Sequence, residues 1–186
     1  MRRALRAGWR SKAADQTTVM YGQLRRDEVL GDDYEKKVRW LRRYSREPHE
    51  AEIRVFGRMS DAEEVFVDVG ADIGESIVSF RLANRHGRII SLEANPLLEP
   101  ALARHASSDT RLSYHMVALG REPASMPGFV PCVDGYARPA LAWMNALRFV
   151  GVGQILALRE LMGISDSEQL AICRMEVSVR TLDEFE

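Results

Sequence analysis

The sequence predicts an α/β fold with a doubly wound, mostly parallel sheet and with helices near the N-terminus. The chain has 186 residues, of which 46% are hydrophobic, enough for one domain with a sizeable core. Between residues 65 and 119, short apolar runs alternate with helical patterns at the spacing of strand–helix–strand units. This alternation is typical of parallel strands that are joined by right-handed crossovers.

The first part of the chain is predicted to contain an arm followed by helices. Residues 1–33 lack clear periodicity, and we expect a flexible basic arm there, followed by one domain over residues 34–186. Residues 34–45 place apolar side chains on one face of a predicted helix. A second helix is predicted over Glu50–Met59, after a proline that suits a first turn. Its candidate core residues are Ile53, Val55 or Phe56.

Three strands and two helices are predicted to form the central unit. Val65–Val69 is a short β-branched run, as expected of a parallel strand that is buried on both faces. A tight turn over Gly70–Gly74 leads to a helix over Glu75–Asn84. The later elements are a strand over Arg88–Glu93, a helix over residues 95–107 and a strand over Leu112–Leu119. The inward-facing residues expected of the first helix are Ile77, Val78, Phe80 and Leu82.

The pattern changes after Gly120. Three prolines predict a loop-rich segment, and one or two helices are expected over Leu141–Leu161. Ala171–Thr181 alternates between apolar and polar residues, which predicts a half-exposed, antiparallel strand. Thr181 then begins a capped helix. The three prolines are Pro123, Pro127 and Pro131.

Composition and charge restrict the class of protein. The formal net charge of -1 provides no bulk attraction for nucleic acid. No apolar run approaches the ~20 uninterrupted residues of a membrane-spanning helix, and the basic N-terminus is not followed by the apolar segment of a secretory signal. Cys132 and Cys173 are far apart in sequence and form no metal-ligand pattern. We therefore expect no disulfide framework, no metal site and a cytoplasmic location.

The segment from Asp68 to Gly74, together with Glu93 on the next strand, forms the candidate ligand site. Gly70 lacks a Cβ, so that a ligand can approach the backbone at the carboxyl end of the first strand. Gly74 permits close packing where the helix begins, and the free N–H groups of the first turn favour an anionic group. Glu93 follows Asp68 by 25 positions, where its carboxylate can accept hydrogen bonds from both hydroxyls of a ribose.

Asp68 discriminates between two classes of ligand. The usual NAD-binding pattern has three glycines, Gly-x-Gly-x-x-Gly, and its first glycine stands where this chain has Asp68. A carboxylate repels a pyrophosphate and attracts an ammonium group. S-adenosylmethionine carries an ammonium group, a sulfonium group, a carboxylate and a ribose, and it has no phosphate. The residues therefore favour S-adenosylmethionine as the cofactor, and a nicotinamide-binding oxidoreductase stays as the weaker alternative.

The segment Val65–Ser76, together with Leu92–Pro96, resembles the FkbM family of methyltransferases. The similarity extends to Val117–Gly120 and Val179–Asp183 and covers roughly residues 46–186. The resemblance implies a Rossmann-like methyltransferase fold, S-adenosylmethionine as methyl donor, and a hydroxyl of a sugar or small metabolite as acceptor. The cofactor contacts that it implies are Asp68, Gly70, Ala71, Asp72, Gly74, Glu93, Asn95 and Ala118. Asp72 stands where the family usually has asparagine.

Two features predict an incomplete domain. In the FkbM family, the segment that corresponds to Thr181–Asp183 is followed by a helix and a strand with an acidic motif, and this chain ends at Glu186. The strand Val65–Val69 has a predicted partner on one side only, and an uncovered strand edge favours self-association. Either Ala171–Thr181 covers that edge, or another chain does, or the chain is a fragment of a longer protein; we favour the fragment.

Two functional hypotheses follow from these residues. The first is an S-adenosylmethionine-dependent O-methyltransferase of the FkbM type. The alternative is a truncated, non-catalytic cofactor-binding or scaffold protein. We assign no general base, because structural positions account for the three histidines of the central unit. These are His86, His105 and His115.

Overall fold

The structure is a computed structural model that describes residues 21–23, 48, 51–58, 65–134, 136–138, 141–142, 144, 152–165 and 167–185. These residues have an α/β fold, in which a three-stranded parallel sheet alternates with helices and a second sheet is mixed. The predicted α/β class is confirmed. The chain divides into two compact units, one of residues 1–29 and 127–175 and the other of residues 30–126 and 176–186. The limits of these units differ from those of the arm over residues 1–33 and the domain over residues 34–186 that the sequence predicts.

The parallel sheet belongs to the unit of residues 30–126 and 176–186. In chain order, this region contains β2 (Val65–Val69), α1 (Glu75–Ala83), β3 (Arg88–Leu92), a 3-10 helix (Pro96–Leu98), α2 (Glu99–Ser108) and β4 (Leu112–His115). The strand order in the sheet is β2-β3-β4. Both strand pairings are parallel. The predicted strand–helix alternation is therefore confirmed as far as His115.

One face of this sheet carries the apolar core of the unit. The register pairs Phe66 with Ile89 and Ile89 with Leu112, so that these three residues share one face. Helix α1 covers this face with Phe80, whose ring stacks on that of Phe66 at a centroid distance of 4.5 Å. Fully burying a side chain of this size contributes roughly 1.5–3 kcal/mol. The sheet and its helices thus hold the carboxyl end of β2 at a fixed position.

A second 3-10 helix, Ala51–Arg58, packs against the same aromatic residues. The ring of Phe56 lies 4.9 Å from that of Phe66 and 5.6 Å from that of Phe80. The helix expected here is confirmed, although its hydrogen bonding is of the 3-10 type. Of the candidate core positions on this helix, Ile53 is buried and Phe56 packs against the core, whereas Val55 is exposed. The predicted inward position of Leu82 on α1 is wrong, because its side chain is exposed.

The opposite face of β2 is exposed at the edge of the sheet. Val67 is 42% exposed and Val69 is 61% exposed. Among the described strands, β2 pairs only with β3. The prediction of a strand that is buried on both faces is therefore wrong. Strand β8 (Leu170–Arg180) does not cover this edge, because it pairs with three other strands and not with β2.

The predicted strand over Leu112–Leu119 is interrupted after His115. Its last two residues form β5 (Ala118–Leu119), which pairs with Val179–Arg180 at the end of β8. This pairing is parallel, so the prediction of an antiparallel strand is wrong for it. The predicted alternation is confirmed near the end of the strand, where Val177 and Val179 are buried and the residues between and beside them are exposed. It is wrong at the start, where Ala171, Ile172 and Cys173 are all buried. A short 3-10 helix, Leu182–Phe185, follows as predicted.

The other unit corrects two sequence predictions. Strand β1 (Tyr21–Gln23) lies within the expected arm and pairs in parallel with Ile172–Arg174 of β8. Strand β6 (Ala124–Val133) occupies the segment that we expected to be loop-rich, and it pairs with β7 (Tyr136–Ala137). Proline removes a hydrogen-bond donor but keeps its acceptor, and the carbonyl of Pro131 accepts from the N–H of Arg138 at 2.8 Å.

Other predictions for this part of the chain are tested only in part. Helix α3 (Val152–Leu161) confirms the second half of the helical region predicted over residues 141–161, and most of the first half lies outside the described residues. The predicted helix over residues 34–45 also lies outside them. No helix in the described part of the chain has the length and apolar character needed to cross a membrane.

Candidate functional site

A pocket of about 430 Å³ lies at the carboxyl end of β2. Its described lining comes from the 3-10 helix Ala51–Arg58, from β2 and from the turn that leads into α1. Four of the predicted contact residues line it: Asp68, Gly70, Ala71 and Asp72. The structure therefore brings these four residues together at one pocket, as the sequence pattern predicted.

The Asp68 carboxylate is held in place by two serine hydroxyls. Its side chain is 7% exposed. Its Oδ2 accepts a hydrogen bond from Ser76 Oγ at 2.5 Å and from Ser91 Oγ at 3.4 Å. Ser76 lies in the first turn of α1 and Ser91 on β3, so both neighbouring elements orient the carboxylate. The sequence analysis missed these serines, although the predicted register of two parallel strands could have identified Ser91.

The turn after β2 has left-handed backbone at two places that face the pocket. Gly70 has φ +83°, and a Cβ there would meet nothing within 4 Å. A side chain at this position would extend into open space, so glycine leaves the backbone accessible to a ligand. Asp72 has φ +47°. Asparagine and aspartate tolerate this conformation better than most other side chains, so an aspartate fits position 72 of this turn.

Glu93 connects the end of β3 to this turn. Its Oε2 accepts from the backbone N–H of Asp72 at 2.8 Å, and its Oε1 accepts from that of Asn95 at 2.7 Å. Burial raises the pKa of Glu93, while these two hydrogen bonds oppose the shift. Each oxygen of a carboxylate can accept a second hydrogen bond. Glu93 thus positions the turn, and it is not among the described residues that line the pocket.

The other three predicted contact residues have structural positions. Asn95 accepts a hydrogen bond from the N–H of Leu97 and caps the 3-10 helix that follows β3. Gly74 has φ +92°, and a Cβ there would lie 2.6 Å from the ring of His105. The expected close packing at Gly74 is confirmed. Ala118 pairs with Val179 in the second sheet. None of these three appears in the described lining of the pocket.

The pocket has a strongly acidic lining. It includes four carboxylate side chains, those of Glu52, Asp68, Asp72 and Glu75, and no lysine or arginine appears among its described lining residues. A cation about 4 Å from one carboxylate gains about 4 kcal/mol at an effective dielectric constant near 20. The pocket therefore favours a cationic ligand. The sequence analysis missed Glu52 and Glu75, which both lie in the first turn of a helix.

The three described histidines of this unit make structural contacts. The ring of His105 lies 3.0 Å from the carbonyl oxygen of Ile73, measured from Nε2. The ring of His115 packs against that of Phe185 at 4.7 Å. His86 contacts the guanidinium of Arg111 at 3.3 Å. In the described lining of the pocket there is no histidine. Nor do the described residues include a group of three or more side chains arranged to hold a metal ion.

Comparison with protein-family models, with curated proteins and with solved structures found no match for this chain. The functional interpretation is therefore built on the pocket geometry and on the sequence pattern.

Proposed function

We propose that this chain binds S-adenosylmethionine in the acidic pocket at the end of β2, and that it belongs to a methyltransferase that acts on a hydroxyl of a sugar or small metabolite. The observation that carries the proposal is the acidic lining of the pocket combined with the open backbone at Gly70. The resemblance to the FkbM family supports the same cofactor. A cytoplasmic location is part of this proposal.

The residues present fit the chemical groups of this cofactor. Asp68 is fixed by two serines and would attract the ammonium group of the methionine part. The first N–H groups of α1, which has no side-chain cap at Gly74, would attract its carboxylate. Glu93 does not line the described pocket, and its contribution is to hold the backbone N–H of Asp72 in place through Oε2. When bound, S-adenosylmethionine supplies a methyl group on a sulfonium centre.

The same lining argues against a nicotinamide dinucleotide. A pyrophosphate carries negative charge, and four carboxylates line the described part of the pocket. The carboxylates would repel the pyrophosphate, and this repulsion is stronger in a partly buried site than in water. The acidic lining therefore favours S-adenosylmethionine over NAD.

Isothermal titration calorimetry with the full chain tests the proposal. We expect binding of S-adenosylhomocysteine and tighter binding of S-adenosylmethionine, because the sulfonium adds a positive charge. Asp68→Asn should weaken binding by about 10- to 100-fold, as expected when a charge-assisted hydrogen bond is lost. Glu75→Gln should reduce the preference for S-adenosylmethionine, which carries the sulfonium, over S-adenosylhomocysteine. Glu122→Gln, at an exposed position outside the described lining, is the matched control and should change neither value.

Two results would contradict the cofactor assignment. One is that S-adenosylhomocysteine does not bind to protein that circular dichroism shows to be folded. The other is tighter binding of NADH than of S-adenosylhomocysteine.

A second candidate function is cofactor binding without turnover. The observation that favours it is that Val69 lines the pocket and is 61% exposed, whereas methyl transfer benefits from a site that excludes water. Release of S-adenosylhomocysteine in the presence of a panel of sugars and small hydroxylated metabolites separates the two candidates. Turnover supports the methyltransferase, and binding without turnover across the panel supports the second candidate.

A further inference from the structure

The two cysteines of the chain lie in contact within the unit of residues 1–29 and 127–175. Cys132 is on β6 and Cys173 is on β8, and these strands are neighbours in the second sheet. Their sulfur atoms are 2.9 Å apart, and both side chains are buried, with 0% and 3% exposure. Both are free thiols. The 41-residue separation in sequence gave no sign of this contact, which the folding of two strands into one sheet creates.

The pair is close to the geometry of a bond. A disulfide has an S–S distance of about 2.05 Å, so the two sulfurs need to approach by about 0.9 Å from their separation of 2.9 Å. Two thiols held at this distance by the fold have a much higher effective concentration than the same thiols in an unfolded chain.

The hydrogen bond between the sulfurs makes the two thiols unequal. Cys132 donates its S–H to Cys173. This hydrogen bond lowers the pKa of Cys173, against the effect of burial. The same hydrogen bond raises the pKa of Cys132, and burial raises it further. Because Cys173 accepts the S–H of Cys132, this hydrogen bond would stabilise a thiolate on Cys173, and we assign Cys173 as the first nucleophile of the pair and Cys132 as the second thiol.

We propose that Cys132 and Cys173 form a reversible disulfide that joins β6 to β8 when the protein meets hydrogen peroxide. The Cys173 thiolate attacks one peroxide oxygen, the O–O bond breaks, and the products are a sulfenic acid on Cys173 and hydroxide. The Cys132 sulfur then attacks the Cys173 sulfur, and the S–O bond breaks. The departing hydroxide takes the Cys132 proton and becomes water. In total, two thiols lose two electrons and one peroxide becomes two water molecules.

Burial determines which oxidants can reach the pair. Hydrogen peroxide is small, whereas alkylating reagents and glutathione disulfide need an opening of the sheet at two side chains that are 0% and 3% exposed. Because Cys132 contacts the sulfur that is oxidised first, the sulfenic acid is consumed before a second peroxide can attack it. We therefore expect a disulfide in preference to sulfinic acid.

Mass spectrometry of the peroxide-treated full chain tests the proposal. The protein is denatured and blocked with N-ethylmaleimide after treatment. We expect a mass decrease of about 2 Da, no maleimide adduct, and reversal by dithiothreitol. Peptide mapping should show Cys132 linked to Cys173 within one chain. In the matched variants, Cys132→Ser should accumulate sulfinic acid on Cys173, and Cys173→Ser should react about tenfold more slowly. Separate oxidation of the two thiols in the unmodified chain, or a disulfide between chains, would overturn the proposal.

A second measurement does not depend on access to the buried thiols. The chain is unfolded and then returned to native conditions in a glutathione redox buffer, and the oxidised fraction at equilibrium is compared with that of chain kept in concentrated urea. We expect the equilibrium constant for disulfide formation to be at least about tenfold larger in the folded chain. The oxidised protein should also melt at least about 5 °C higher than the reduced protein. Equal equilibrium constants in the folded and the unfolded chain would refute the proposal, and so would the absence of any reaction between the folded chain and peroxide.

Discussion

Gly74 and Gly70 provide a test of how the turn after β2 is built. Both have left-handed backbone, with φ +92° at Gly74 and +83° at Gly70, and both belong to the same compact unit. A non-glycine residue in this conformation costs about 1–2 kcal/mol. The two positions differ in the space around them. A Cβ at Gly74 would lie 2.6 Å from the His105 ring and 3.2 Å from Ile77 Cδ1, whereas at Gly70 it would meet nothing within 4 Å.

This difference fixes the expected cost of each substitution. Gly70→Ala should lower the free energy of unfolding by about 1–2 kcal/mol, from the backbone alone. Gly74→Ala should add about 1–3 kcal/mol for overpacking against His105. Displacement of that ring would also break its contact with the Ile73 carbonyl oxygen, worth about 1 kcal/mol. The total for Gly74→Ala is therefore about 3–6 kcal/mol.

Urea denaturation followed by circular dichroism measures both costs. The clash itself is isolated by repeating Gly74→Ala in a His105→Ala background, where the ring is absent. We expect Gly74→Ala to cost at least about 1 kcal/mol less in the His105→Ala background than in the unmodified chain, as for two residues in direct contact. If Gly74→Ala and Gly70→Ala cost the same within about 0.5 kcal/mol, the packing argument is wrong.

Two further predictions concern a titrating ion pair and the exposed strand edge. Burial alone raises the pKa of Asp109, but hydrogen bonds from the Arg81 guanidinium and the Arg111 backbone N–H outweigh it and hold the pKa below its usual 3.8. Arg81→Met should therefore raise the pKa of Asp109 in an NMR titration, and an unchanged pKa would contradict this assignment. The unmodified chain should be more stable than the variant above pH 3.8, and this difference in stability should shrink as the pH falls through the lowered pKa of Asp109. At the edge of the parallel sheet, Val69→Lys should reduce self-association in light scattering, because a charge blocks strand pairing. Leu161→Lys, which alters a side chain on α3 that is 73% exposed, should leave self-association unchanged, and equal effects of the two substitutions would show that the edge is not the contact.

The central unit was predictable because its signals are local. Val65–Val69 appears as a strand with the predicted limits, since a β-branched run between turn residues has few alternatives. The positive φ values of Gly70 and Gly74 follow from the same short-range logic, because glycine is the residue that adopts them most easily. Asp68, Gly70, Ala71 and Asp72 lie together at one pocket, and their part in cofactor binding stays a prediction.

Predictions that needed a partner for a strand were less successful. The alternation over Ala171–Thr181 correctly indicated a strand with one buried face, but its direction relative to β5 was wrong. Strand β6 passes through prolines that suggested a loop. In both cases, the outcome depends on which strand supplies the hydrogen-bonding partner, and residues distant in sequence decide that.

The sequence by itself determined the α/β class, the turn between Asp68 and Gly74, and the residues able to favour a cationic ligand. The tertiary structure alone decided that Glu52 and Glu75 join Asp68 and Asp72 in one pocket, and that Glu93 is engaged with the turn. It also decided that Cys132 and Cys173 meet. The physical reason is that backbone conformation follows from a few neighbouring residues, whereas electrostatic and covalent chemistry depends on distances that only the packing of separate elements creates.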